Sequence, residues 1–189
     1  MKRIKKLLSL FLCMIMVGCM FNVNNVQAAS YGKVSGNITY FYNNYWGNRG
    51  DTGAKILLVP TNGKAKNYNF DLYTSRSQLK KRGVYLTTVD GRGEYVFNRV
   101  PTGTYKVLII SNNTSTGAWF KAYKDAISDA PASYYNNIAK KFYPKCLNKK
   151  TAFNIMKSNI AYHKYRTATI RVYGNETTTL SHDFGMTYI

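Results

Sequence analysis

The sequence predicts a mainly β protein, an antiparallel β-sandwich of about seven strands with a helical insertion before the last strands. Three observations predict it. Apolar residues recur at every second position between Val84 and Ile110, and turn residues interrupt them twice. Ala54 to Val59 is a short, continuously apolar run closed by Pro60, the pattern of a strand buried on both faces. After residue 117 the apolar spacing becomes helical.

Residues 1–29 read as a signal peptide. Met1 to Lys6 is basic, Leu7 to Phe21 is apolar, and Val26-Gln27-Ala28 and Gln27-Ala28-Ala29 offer small residues for cleavage. The apolar run is short for a membrane span, which needs about 20 residues. Met16-Val17-Gly18-Cys19 is similar to a lipobox, so the alternative is a lipoprotein anchored through Cys19. The chain is expected to be secreted, extracellular or cell-surface associated, with a leader of bacterial kind. Residues 30–189 then form a single domain, long enough to bury a core without staples.

The whole chain holds 27 Lys and Arg against 8 Asp and Glu. Four of the basic residues lie in the leader, so the remainder carries 23 against 8, a net charge of +15. Such a balance points to an anionic cell-wall polymer, a membrane surface or an acidic secreted partner protein, or else serves solubility alone. Specific nucleic-acid binding is not expected. Cys146 is the only cysteine beyond the leader, so no intrachain disulfide is available there. It reads as a small buried hydrophobe or as a reactive thiol.

Val34, Gly36, Ile38, Tyr40 and Tyr42 share one face of the first strand. Asn43 to Asp51 reads as a polar, glycine-bearing loop carrying Tyr45 and Trp46. That pair is either a sugar-stacking platform or a cap over the open end of the sandwich. Thr61 to Asn69 is a polar connection, Asn69 to Tyr73 reads as a short strand, and Ser75 to Arg82 as a basic solvated loop or anion contact. Val84 to Thr88 is the next strand. Asp90-Gly91-Arg92-Gly93 then signals a hairpin turn into Glu94–Phe97, and Pro101-Thr102-Gly103 turns the chain into Tyr105–Ile110. Tyr105, Val107 and Ile109 fall on one face of that strand. Asp90 and Glu94 flank the turn, where Asp serves local backbone bonding rather than acid–base work.

Thr87-Thr88-x-Asp90-x-x-Gly93-x-Tyr95-x-Phe97-x-x-Val100-Pro101-x-Gly103-x-Tyr105-x-Val107 resembles the carboxypeptidase regulatory-like domain. Val34-x-Gly36-x-Ile38, Gly53-Ala54-x-Ile56-x-Leu58 and a closing strand pair from Ile170 to Phe184 are similar in the same order. The resemblance implies a prealbumin-like, seven-stranded sandwich, a carbohydrate-binding-like fold, and a rigid accessory module rather than an enzyme. Collagen-adhesin B-type repeats share that sandwich and carry a Lys–Asn crosslink assisted by a Glu. Tyr105 to Ser111 contains no acid, so no such crosslink is expected.

Residues 117–166 lie outside the resemblance and read as the helical insertion. Trp119, Phe120, Tyr123 and Ile127, then Tyr134, Tyr135, Ile138 and Phe142, recur at helical spacing, and Thr151 to Ser158 reads as a third short element. The stretch holds ten basic residues and two acids. It is either a helical layer with a solvated basic face or a surface for polyanions, with Lys140, Lys141, Lys149 and Lys150 as candidate anion-binding residues. His163 and His182 lack further ligands at metal-binding spacing, and no catalytic or phosphate-binding motif is present. The expected function is therefore a non-catalytic, envelope-associated binding or structural module with a basic surface and no cofactor. The alternative is a carbohydrate-binding module using Tyr45 and Trp46.

Overall fold

The computed structural model describes residues 30–115, 140, 146–155 and 163–186. The stretch read as a leader, Lys141 and the aromatic repeats read as helical between 119 and 142 lie outside these residues. The described chain is mainly β, in two mostly antiparallel sheets. One sheet is built on β1 (Tyr31–Asn43), which pairs antiparallel with β2 (Gly47–Gly50) and β5 (Glu94–Pro101). On its other side β1 pairs in parallel with β8 (Thr177–Thr179) and β9 (His182–Met186). The second sheet runs β4 (Tyr85–Thr88), β3 (Lys55–Pro60), β6 (Gly103–Ser115), β7 (His163–Val172), all antiparallel. Among the described residues nine strands thus stand where about seven were expected, because the four-residue β2 and the three-residue β8 carry little sequence pattern.

Successive strand residues point to opposite faces, and the second sheet buries both. Ile56, Leu58, Val107 and Ile109 face the first sheet and meet Val34, Ile38, Tyr95 and Phe97. Leu57, Val59, Leu108 and Ile110 face the other way, onto a second core. Phe70 and Leu72, Leu79 of helix α1 (Arg76–Lys81), and Leu147, Ala152 and Ile155 in and beside helix α2 (Lys149–Ile155) fill it. Cys146 is buried in this cluster as a free thiol, and burial pushes its pKa up. The described residues are therefore three layers deep: sheet, sheet, helices.

Several sequence readings change accordingly. Ser75 to Arg82 is not a solvated loop. Its Leu79 is fully buried while Lys80 and Lys81 stay in solvent, and the Ser75 hydroxyl caps the helix by accepting from the Gln78 N–H. Asn69 to Tyr73 is a turn rather than a strand. The Asp71 carboxylate accepts the N–H groups of Tyr73 and Thr74 at 2.9 and 2.8 Å, which leaves no ladder to form. Asn148 docks α2 on this connection, donating from Nδ2 to the carbonyls of Lys66 and Tyr68 and capping α2 at the Thr151 N–H. His163 to Arg166, read as the end of the insertion, already belongs to β7.

The Asp90 turn is a second correction. Asp90 accepts the N–H groups of Arg92 and Glu94 at 2.9 Å, and the Glu94 bond above all holds its carboxyl below the usual range. Yet β4 and β5 do not form a hairpin. They belong to opposite sheets, so the turn crosses the sandwich. Gly93 has φ +88°, and a Cβ there would stand 2.8 Å from Gly50 Cα, so the turn packs directly against the end of β2. The closing strands behave likewise: β7 and β8–β9 lie in different sheets and meet through side chains. Lys164 Nζ donates to the carbonyls of Phe184 and Met186 at 3.3 and 2.6 Å.

Candidate binding site

The stretch read as a loop after Asn43 is a hairpin. Phe41 pairs with Asn48 and Asn43 with Gly47, and the register slips between Phe41 and Asn43. Asn43 Oδ1 accepts the N–H groups of Tyr45 and Trp46 at 3.0 and 2.8 Å, and Gly47, at φ +62°, returns the chain. The tip is thus fixed by its own backbone bonds. β2 lies at a sheet edge, beyond the inner core.

Here the two aromatic residues singled out by sequence are strongly exposed, Tyr45 at 85% and Trp46 at 58%. They do not cap the sandwich. Their rings meet edge to face, with centroids 5.1 Å apart and planes at 82°. Tyr42, at 38% exposure, extends the patch from the last turn of β1. It stands at the register slip, a position where an irregular strand re-aims a side chain. Arg49 completes the group. Its guanidinium carbon lies 4.7 Å over the Tyr42 ring and 4.8 Å over the Trp46 ring. Sequence reasoning missed Arg49. The available signal was the Asn43–Gly47 turn, which sets Arg49 opposite Tyr40 and so on the Tyr40–Tyr42 side of the hairpin.

The basic candidates are placed in part. Lys140 is exposed, and Lys149 and Lys150 are exposed at the start of α2. Lys141 lies outside the described residues. A second surface feature is an open polar groove of about 690 Å³ over β1 and β5. Lys33, Asn37, Asp90, Glu94 and Asn98 line it, mixing one cation with two carboxylates. Its aromatic member, Tyr95, is buried and donates its hydroxyl to the Leu180 carbonyl at 2.6 Å, so it offers no free ring.

His182 sits against a guanidinium. Arg166 Nη1 lies 2.7 Å from His182 Nδ1, and since Arg only donates, the ring is neutral with its proton on Nε2. Burial and then Arg166 lower the His182 pKa; burial lowers that of His163 as well. Among the described residues no three His, Cys, Asp or Glu side chains converge on a metal position. No helix of the described residues is long and apolar enough to cross a membrane.

No family model and no curated protein matches the chain. The structure aligns with the crystal structure of a candidate carbohydrate binding protein from Pseudomonas aeruginosa, at 15% identity and a TM-score of 0.38, over 84% of this chain and 92% of that one.

Proposed function

We propose that this is an exported, non-catalytic carbohydrate-binding module of the carboxypeptidase regulatory-like kind, which engages glycan through the tip of the β1–β2 hairpin. One observation carries the reading. Tyr45 and Trp46 are large, exposed and held by a turn that costs no further ordering on binding. Exposed apolar surface that gathers several rings in one place marks an interaction site more often than a scattered residue does, and the exposed Asn44 stands at the same tip. Because the two rings stand nearly perpendicular, they form a corner and not a flat bed. A corner suits a single glycan chain, with one ring under a sugar face and the other against its edge. A flat crystalline polymer would need coplanar rings.

The polyanion reading keeps one supporting observation, the exposure of Lys140 and of Lys149 and Lys150 on α2. The two separate by salt. Attachment through Lys140, Lys141, Lys149 and Lys150 weakens steeply as ionic strength rises, whereas ring stacking changes little. Cosedimentation with purified cell walls, run across a salt series, is expected to survive high salt and the fourfold Lys→Gln variant, and to fail for Trp46→Ala. The opposite pattern would return the function to the basic surface.

A further inference from the structure

We infer that the hairpin site selects acidic saccharides, with Arg49 as the residue that reads the charge. The inference rests on the carbohydrate reading above and names its ligand class.

Arg49 is exposed, yet its position is defined by two rings, at 4.7 Å from Tyr42 and 4.8 Å from Trp46. A guanidinium held against ring faces by cation–π attraction spends none of its hydrogen-bonding capacity on them. Its five N–H donors, in a planar fork, carry no hydrogen bond among the described residues. Among the described residues it meets no carboxylate. Asp183, the acid on the neighbouring strand β9, is already engaged, accepting from Asn48 Nδ2 at 2.8 Å and from the Gly185 N–H at 2.9 Å. Asn48 and Arg49 are consecutive strand residues and point to opposite faces, so Asp183 belongs to the other side of the hairpin. Among the described residues the result is a cation held by two rings with no carboxylate beside it, next to the exposed Tyr45 and Trp46.

A fork of parallel N–H donors matches the two oxygens of a carboxylate, or two of a phosphate, better than a neutral hydroxyl. A sugar stacked at the Tyr45–Trp46 corner that carries such an oxyanion on its ring would meet Arg49 within the same site. Lysine at this position would keep the charge but lose both the plane that stacks and the fork.

The test compares trigalacturonate, a neutral galactotriose and galactose 6-phosphate by titration calorimetry at physiological salt. The proteins are wild type, Arg49→Gln, Arg49→Lys and Trp46→Ala, each checked for an unchanged melting temperature. The wild type is expected to prefer one or both anionic sugars at least tenfold, and the two anions show whether carboxylate or phosphate is read. Arg49→Gln and Arg49→Lys should lose that preference while keeping neutral binding, and Trp46→Ala should lose both. Equal binding of neutral and anionic sugars, or a preference that persists in Arg49→Gln, overturns the inference. The carbohydrate reading then still stands if Trp46→Ala abolishes binding. Binding of none of the three sugars overturns both.

Discussion

Asp51 and Asn113 are 62 residues apart and joined twice: Asp51 Oδ1 accepts the Asn113 backbone N–H at 3.0 Å and its side-chain amide at 2.8 Å. The same oxygen accepts the Asn112 N–H at 3.1 Å. Asp51 is fully buried, and its own N–H donates to the Ile38 carbonyl at 2.8 Å. One carboxylate therefore ties the entry to β3 to the irregular end of β6, and its backbone N–H ties the same point to β1. Asp51→Ala would remove the acceptor from three part-buried donors and leave a gap in a fully buried position, at a cost of about 3 kcal/mol. Among the described residues Oδ2 has no hydrogen-bond partner, so Asp51→Asn, which keeps the Oδ1 acceptor and the side-chain volume, should cost less. Urea unfolding measures both through the midpoint at constant slope. Equal losses for the two variants would contradict this account.

The outer core makes a separate prediction. Leu79 is fully buried between α1 and the second sheet. Leu79→Ala should destabilise by about 3 kcal/mol, the usual range for a core leucine. A change below about 0.5 kcal/mol, typical of surface positions, would mean that the helical layer adds no stability.

Much of this was legible in the chain and some was not, for identifiable reasons. β3 showed itself because a strand buried on both faces must be apolar throughout, and the Tyr105, Val107, Ile109 alternation gave the inward face of β6. The helix α1 stayed hidden because six residues with one buried position fall short of the window in which helical period can be seen. Phe70 and Leu72 mimicked a strand by spacing alone. The Asp90-Gly91 signal marked a turn correctly but carried no information on which sheet each flanking strand would join, since β4 finds its partner β3 across the connection from Thr61 to Val84. At the site, Tyr45 and Trp46 stood out as aromatics among Asn and Gly. Arg49 could be seen only after the hairpin register was known.

The histidines give a pH dependence. Both have folded pKa values below the ordinary 6.5, chiefly through burial. Below that value the unfolded chain takes up protons more readily than the folded one, so stability is complete above about pH 6.5 and falls as pH drops towards the folded values. For His182 the incoming proton meets Arg166, with Asp183 as the opposing charge; for His163 the neighbouring charges are Asp51 and Lys55. The melting temperature is expected to fall from pH 7 to pH 5, above the carboxylate range. His182→Asn, which keeps an acceptor for Arg166 and cannot titrate, should flatten part of that slope. A flat wild-type profile would count against the assignment.

Among the described strand pairs, β1 and β2 alone are joined by a tight turn. Each other pairing must bring together segments far apart in the chain, which is the slow regime of folding, milliseconds to seconds. A short hairpin forms in roughly 1–10 μs. Among the described strand pairings, the segment that bears Tyr45, Trp46 and Arg49 is thus the one able to take its shape early, while the platform that holds it in place arrives orders of magnitude later.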